Sequence, residues 1–220
     1  MSERNFALAD ERLPNRRIDA VLFDFGGVLT SSPFSAIKAW AVENGHEPES
    51  LLRVFIGHSH ETNHPFHRAE RGELSISDMF TEISVEAAKF GVDPAGFAAG
   101  MSMATRHDVV DYIKTLRADG IAVALVTNNF SEMSGHWRTM APVDDLFDLV
   151  VESWSEGMRK PTAGIYEVTL ERLGIPANRA AFLDDLEDNI TGSQAVGIHS
   201  ILVTDDYQSA LISLDALLGR

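Results

Sequence analysis

Three apolar runs in this chain end in side chains able to do chemistry. Ala20–Phe23 runs into Asp24, then Phe25 and the pair Gly26-Gly27. Ile121–Val126 runs into Thr127-Asn128-Asn129, and Ala180–Leu183 into Asp184-Asp185. A fourth polar group, Lys160, stands in a loop just before a helical pattern. Short apolar runs of this kind read as buried parallel strands. In an open α/β sheet the carboxyl ends of the strands share one edge, and ligands bind there. Taken alone, Asp24 could be a turn cap; the other strand ends weigh against that. Asp24, Asp184 and Asp185 gathered on one edge would repel one another unless a cation held them. Oxygen donors of this hardness suit Mg²⁺, which uses few carboxylates, keeps waters and takes phosphate oxygens. Thr127 and Lys160 would then face an anion.

The elements that must position these groups follow from the pattern. Strands are expected at about 18–24, 121–126, 147–151, 180–183 and 198–203. Between the later strands lie helical stretches: Val109 to Leu116, 131–140, Pro161 to Leu173, Asn189–Val196 and Ala210–Leu218. Strand–helix–strand alternation implies right-handed crossovers and a doubly wound parallel sheet. Residues 34–104 differ, because helical spacing dominates and no strand pattern appears. Phe34, Ile37, Trp40 and Ala41 share one helical face, and Ile76, Met79, Phe80, Ile83 and Ala87 another. A shorter helix is expected around Leu51, Leu52 and Phe55. The organisation expected is an N-terminal tail over 1–17, an α/β core over 18–33 and 105–220, and a helical insertion over 34–104.

Composition excludes several classes. The 220 residues include no cysteine, so neither disulfides nor thiolate metal sites are possible. No apolar run approaches the ~20 residues that span a bilayer. The first residues are polar and lack the apolar segment of a secretory signal, so a cytoplasmic location is expected. A formal charge of −15 disfavours nucleic acid as a partner. It also means that an anion site needs local compensation by Lys, Arg or a metal.

Four motifs, in order, resemble those of the haloacid dehalogenase-like hydrolase superfamily, in the subfamily with a helical cap inserted after the first strand. They are Phe23-Asp24-Phe25-Gly26-Gly27-Val28-Leu29, Thr127-Asn128, Gly157-Met158-Arg159-Lys160-Pro161, and Leu183-Asp184-Asp185 followed by Asn189. The first and third are most similar to those of the N-terminal phosphatase domain of soluble epoxide hydrolases and of bacterial sugar-phosphate phosphatases. The resemblance implies a Rossmann-like core, Mg²⁺ as cofactor and a small phosphorylated metabolite as substrate; a monomer or homodimer with no membrane partner is expected. It implies that Asp24 is the nucleophile, forming an aspartyl-phosphate. Asp24, the Gly26 carbonyl, Asp185 and Asp184 would hold the metal, with Asn189 and Asp188 orienting them. Thr127, the Asn128 amide and Lys160 would hold the phosphoryl group, Lys160 also offsetting its charge.

One position departs from the family pattern. Most phosphatases of this kind carry a second Asp two residues after the nucleophile, which protonates the leaving group; here that residue is Gly26. Such a group contributes about 10²–10⁴-fold. The departure favours good leaving groups, such as aryl or acyl phosphates, or slow turnover of sugar phosphates. It also keeps open a non-catalytic binding protein. Phosphonate cleavage, a further reaction on this scaffold, would need a lysine such as Lys38 or Lys89 to form a Schiff base. Dehalogenation is disfavoured by the retained Asp184-Asp185 pair, because dehalogenases of the superfamily do not use Mg²⁺. His58, His60, His64 and His67 cluster in the insertion and admit three readings: a polar loop, substrate or acid–base contacts, or a second metal site.

Overall fold

The computed structural model describes residues 17–93 and 103–220. The expected tail, apart from Arg17, and the stretch 94–102 lie outside the described residues. Five strands form one parallel sheet: β1 (Ala20–Phe23), β2 (Ala122–Thr127), β3 (Leu149–Glu152), β4 (Ala180–Asp184) and β5 (His199–Leu202). Their order is β3-β2-β1-β4-β5. The central strand β1 therefore has β2 on one side and β4 on the other. This is the switch point at which doubly wound sheets open a crevice.

Alternate side chains point to opposite faces of the sheet, so each short run feeds two cores. Val21, Phe23, Val123, Leu125 and Leu183 pack with α5 (His107–Ala118) and α8 (Tyr207–Leu218). Ala20, Leu22, Ala124, Val126 and Phe182 pack with α6 (Ala163–Leu173) and α7 (Glu187–Val196). Gly174 and Gly197, at φ 65° and 98°, end α6 and α7 in the left-handed conformation that glycine adopts without penalty.

Among the described residues, four helices lie between β1 and α5: α1 (Pro33–Glu43), α2 (Pro48–Ile56), α3 (Pro65–Glu70) and α4 (Ile76–Ala88). They enclose a separate apolar cluster that includes Ile37, Ala41, Leu51, Phe55, Met79 and Ile83. The chain leaves and re-enters the sheet region side by side. Thr30 and Thr105 form an isolated antiparallel bridge, Ser31 N donates to the Ala104 carbonyl at 2.9 Å, and Arg106 N donates to that of Leu29 at 2.8 Å.

The elements depart from the sequence expectation at several points that bear on the site. Residues 57–75 are not all loop, because α3 forms there. Pro65 occupies its first turn, and His64 Nδ1 accepts from Phe66 N at 3.2 Å. Six residues are too few to show a helical period. The helix expected over 131–140 is reduced to two short turns, Ser131–Met133 and Ser134–Trp137. Pro161 does not start α6: it follows a cis bond from Lys160, and the helix begins at Ala163. β3 is offset, running Leu149–Glu152 where 147–151 is expected, so it ends one residue later, at Glu152. Among the described residues no helix is long and apolar enough to cross a membrane.

Candidate active site

β1 ends one residue before Asp24, and the chain then turns tightly over Phe25–Leu29. Gly26 has an ordinary extended conformation (φ −67°, ψ 134°), whereas Gly27 has φ 74°. Asp185 lies directly against that glycine: a Cβ on Gly27 would stand 2.1 Å from Asp185 Oδ2. Gly27→Ala therefore meets both a strained backbone and a clash with a site carboxylate. The variant is expected to lower the thermal midpoint and to weaken Mg²⁺ binding at least about tenfold, because Asp185 must move. Calorimetric titration of the metal-free protein checks this; wild-type affinity in the variant would show that Asp185 is not held by this packing.

β4 delivers Asp184 and Asp185 to the same edge. Asp184 is fully buried and both of its oxygens are engaged. Asn189 Nδ2 donates to Oδ1 at 2.9 Å and to Oδ2 at 3.1 Å, Leu186 N donates to Oδ1 at 2.9 Å, and Lys160 Nζ donates to Oδ2 at 2.7 Å. Lys160 Nζ also lies 2.7 Å from Asp24 Oδ1, as an ion pair without the alignment of a good hydrogen bond. Lys160 is itself fully buried. Its backbone is clamped by Asn128: Lys160 N donates to Asn128 Oδ1 at 2.9 Å, and Asn128 Nδ2 donates to the Lys160 carbonyl at 3.1 Å. The Asn128 side chain thus places the lysine. Thr127 is buried at the end of β2.

Asp185 is held on one side only. Ser32 Oγ donates to its Oδ2 at 2.6 Å, while Oδ1 is buried with no hydrogen-bond partner. One carboxylate oxygen each from Asp24, Asp184 and Asp185 lie within 4.8 Å of one another, the one group of this kind among the described residues. Burial pushes the Asp24 carboxyl up to about 7, against the pull of Lys160 and with the push of Asp184 and Asp185. Burial likewise raises Asp185 to about 6, against the Ser32 bond. Desolvation would lower the Lys160 ammonium, but its two carboxylate neighbours outweigh it and hold it above its usual value. Three clustered carboxylates, one lysine and an orphaned Asp185 oxygen make a donor set that fits a hard divalent cation such as Mg²⁺. Asp24 and Asp185 have the freer oxygens to offer; those of Asp184 are committed to Lys160 and Asn189.

The structure thus gathers Asp24, Gly26, Thr127, Asn128, Lys160, Asp184, Asp185 and Asn189 at one sheet edge. Asp188 is exposed on α7, and no contact ties it to the carboxylates. The four histidines do not assemble. His58 and His60 stack on each other at 5.3 Å between ring centroids, both exposed. His64 caps α3. His67 is buried, its Nδ1 3.0 Å from the Glu61 carbonyl, so that nitrogen carries the proton. Burial, with Arg159 nearby, pushes His67 down to about 4.

Two contributors were not visible in the sequence reading. Glu152, at the end of β3, accepts from Ser134 Oγ at 2.9 Å, Trp154 Nε1 at 3.1 Å and Arg138 Nη2 at 2.8 Å. It ties the segment after Asn128 to the turn that follows β3. Extending β3 by one residue would have revealed it as another strand-end carboxylate. Ser32 carried no such signal: its position before Pro33 is that of a helix cap, but its hydroxyl goes to Asp185.

A family model described as haloacid dehalogenase-like hydrolase matches residues 18–197. The chain is 34% identical to mouse acyl-CoA dehydrogenase family member 10 over 93% of its own length, but spans only 19% of that protein. It is 28% identical to the sesquiterpene phosphatase astK of Aspergillus oryzae, covering 87% of this chain and 93% of that one. Among solved structures, a HAD family enzyme of Bacteroides thetaiotaomicron, in complex with magnesium and inorganic phosphate, superposes with a TM-score of 0.62. The two share 22% identity over 87% of this chain and 98% of that one, which bears on the fold.

Proposed function

We propose, from the premise that this chain belongs to the haloacid dehalogenase-like hydrolase family, that it is a Mg²⁺-dependent phosphatase of small phosphorylated molecules. The observation that carries this reading is the buried Asp24–Lys160–Asp184 array beside an Asp185 oxygen with no partner. Bound Mg²⁺ supplies positive charge that lets a phosphate dianion approach the carboxylates. Asp24 attacks phosphorus and the ester P–O bond breaks, the leaving oxygen taking its proton from solvent because Gly26 offers none; water then attacks phosphorus, gives a proton to solvent and breaks the aspartyl P–O bond, releasing inorganic phosphate and restoring the carboxylate. Lys160, fixed by Asn128 and Asp184, offsets charge on the phosphoryl oxygens without reorganising. Thr127 lies at the next strand end, within the same edge, to donate to those oxygens. Similarity to a sesquiterpene phosphatase supports phosphate-ester chemistry and leaves the substrate open.

The test is phosphate release from a panel of aryl, acyl and sugar phosphates, with and without Mg²⁺. Metal-dependent release is the expected result. A folded protein that binds Mg²⁺ yet releases nothing from any of them would favour a binding role.

Gly26 has a structural counterpart that sharpens the leaving-group question. A Cβ there would meet Pro33 Cδ at 3.2 Å and Cγ at 3.4 Å, tight but not impossible, in a conformation open to any residue. Gly26→Asp alone is thus expected to gain little. Gly26→Asp with Pro33→Ala makes room for a proton donor and is expected to raise kcat on alkyl phosphates by about 10-fold or more, with little change on aryl phosphates. Equal effects on both classes would show that leaving-group protonation does not limit this enzyme.

A further inference from the structure

Glu70 closes α3 at the base of the inserted helices, and it is buried. Its carboxylate Oε2 accepts from Arg159 Nε at 2.5 Å, and its carbonyl accepts from Ser153 Oγ at 2.6 Å. The Ser153 hydroxyl oxygen also accepts from Asn129 N at 2.9 Å. Two residues on, Gly72 has φ 73°, and a Cβ there would stand 2.8 Å from the Trp154 carbonyl oxygen. One turn of the insertion therefore seats itself on two of the loops that build the site, 127–130 and 152–154, and reaches the third through Arg159.

Arg159 is bonded directly to Lys160, whose own backbone Asn128 clamps on both sides. Arg159 and Glu70 are both more than nine-tenths buried. A buried ion pair rarely adds net stability over apolar packing, because desolving two charges offsets their attraction, yet losing one partner is costly. What such a pair does supply is a fixed distance between the parts it joins. Here those parts are the inserted helices and the residue before the buried lysine.

We propose that Glu70 is a positioning residue for Lys160: through Arg159 and Ser153 it sets the lysine loop against the docked helices, so Lys160 reaches its working position only when they are seated. The inference rests on the phosphatase reading in one respect, that Lys160 meets the phosphoryl group. It makes the insertion part of the phosphate site and not only a cover over it.

The test uses Glu70→Ala, Glu70→Gln and a control, Glu132→Ala. Glu132 Oε1 accepts from Ile76 N at 2.9 Å, so the control breaks another contact between the insertion and the sheet region without touching the lysine loop. Each protein is measured for thermal midpoint, inorganic-phosphate affinity in Mg²⁺ by calorimetry, and kcat and KM with para-nitrophenyl phosphate. Glu70→Ala is expected to weaken phosphate binding about tenfold and lower kcat about 10²-fold, the scale of an ångström-sized misplacement. Glu70→Gln, which keeps an acceptor for Arg159, should recover part of both. Glu132→Ala should lose stability while its phosphate affinity and kcat stay within about twofold of wild type. The inference is overturned if the Glu70 variants fold, melt earlier and still bind phosphate and turn over like wild type. If Glu70→Ala fails to fold, Glu70→Gln decides on the same readouts. Wild-type protein that binds no phosphate overturns the phosphatase reading itself, a different result from unaltered binding in the variants.

Discussion

Asp24→Asn is expected to end phosphate release while raising the thermal midpoint of the metal-free protein. Loss of the nucleophile should cost at least about 10³-fold in kcat, because the asparagine amide is a far weaker nucleophile than a carboxylate. The gain in stability has a separate cause. Asp24 is a buried acid beside two others, and burial dominates in pushing its carboxyl up to about 7. The unfolded chain ionises it near 3.8. The folded protein therefore holds the extra proton between these values, and the stability associated with the neutral form is lost as pH rises from about 4 through about 7. Asparagine carries no charge, so it escapes that loss. The two proteins should melt alike near pH 4 and diverge as pH rises. Above pH 7 the variant should be the more stable by up to about 4 kcal/mol. Melting curves across pH, in chelator, check the sign. A variant less stable than wild type at pH 8 would mean that the Lys160 pair outweighs the desolvation of Asp24.

Lys160→Met should move both quantities down. Methionine approximates the stem of the lysine but removes the counter-charge of Asp24 and Asp184, each 2.7 Å from Nζ. Removing one partner of a buried pair costs about 3–5 kcal/mol, roughly 10 °C for a chain of this size. Mg²⁺ should restore part of that loss, because it returns positive charge to the same carboxylates. Phosphate release should fall about 10²–10³-fold through the missing stabilisation of charge in the transition state. Melting with and without Mg²⁺, beside kcat on an aryl phosphate, reads all three effects. An unchanged melting point in chelator would show that the carboxylates are already protonated and do not need the lysine.

The strand ends were legible because a buried parallel strand is a short, continuous apolar run and its last residue is conspicuous when charged. Asp24, Thr127, Asp184 and Asp185 all stand where such a run stops, and topology alone then brings them to one edge. Lys160 was legible through its motif and not through periodicity. The side-chain tasks were harder to see. Asn128 offers its backbone amide in the sequence reading, yet its side chain clamps Lys160. Asp184 and Asp185 are adjacent and alike in sequence, but one is consumed by Lys160 and Asn189 while the other keeps an oxygen free. Such division of labour depends on which way each side chain leaves the strand and on partners 24 and 153 residues away. The α3 turn was missed because six residues carry no period, and with it went Glu70, whose partner lies 89 residues along the chain.

The central position of β1 also bears on how the chain is made. Ala20 pairs with Ala122 on one side and with Ala180 on the other. Translation at roughly 5–20 residues per second leaves this apolar strand without its first neighbour for several seconds, and without its second for longer. The side-by-side bridge at Thr30 and Thr105 shortens that wait in space, if not in time. With residues 29–31 and 104–106 held together, the loop left to close before β2 can pair with β1 is short, and the entropy of closing it is correspondingly small.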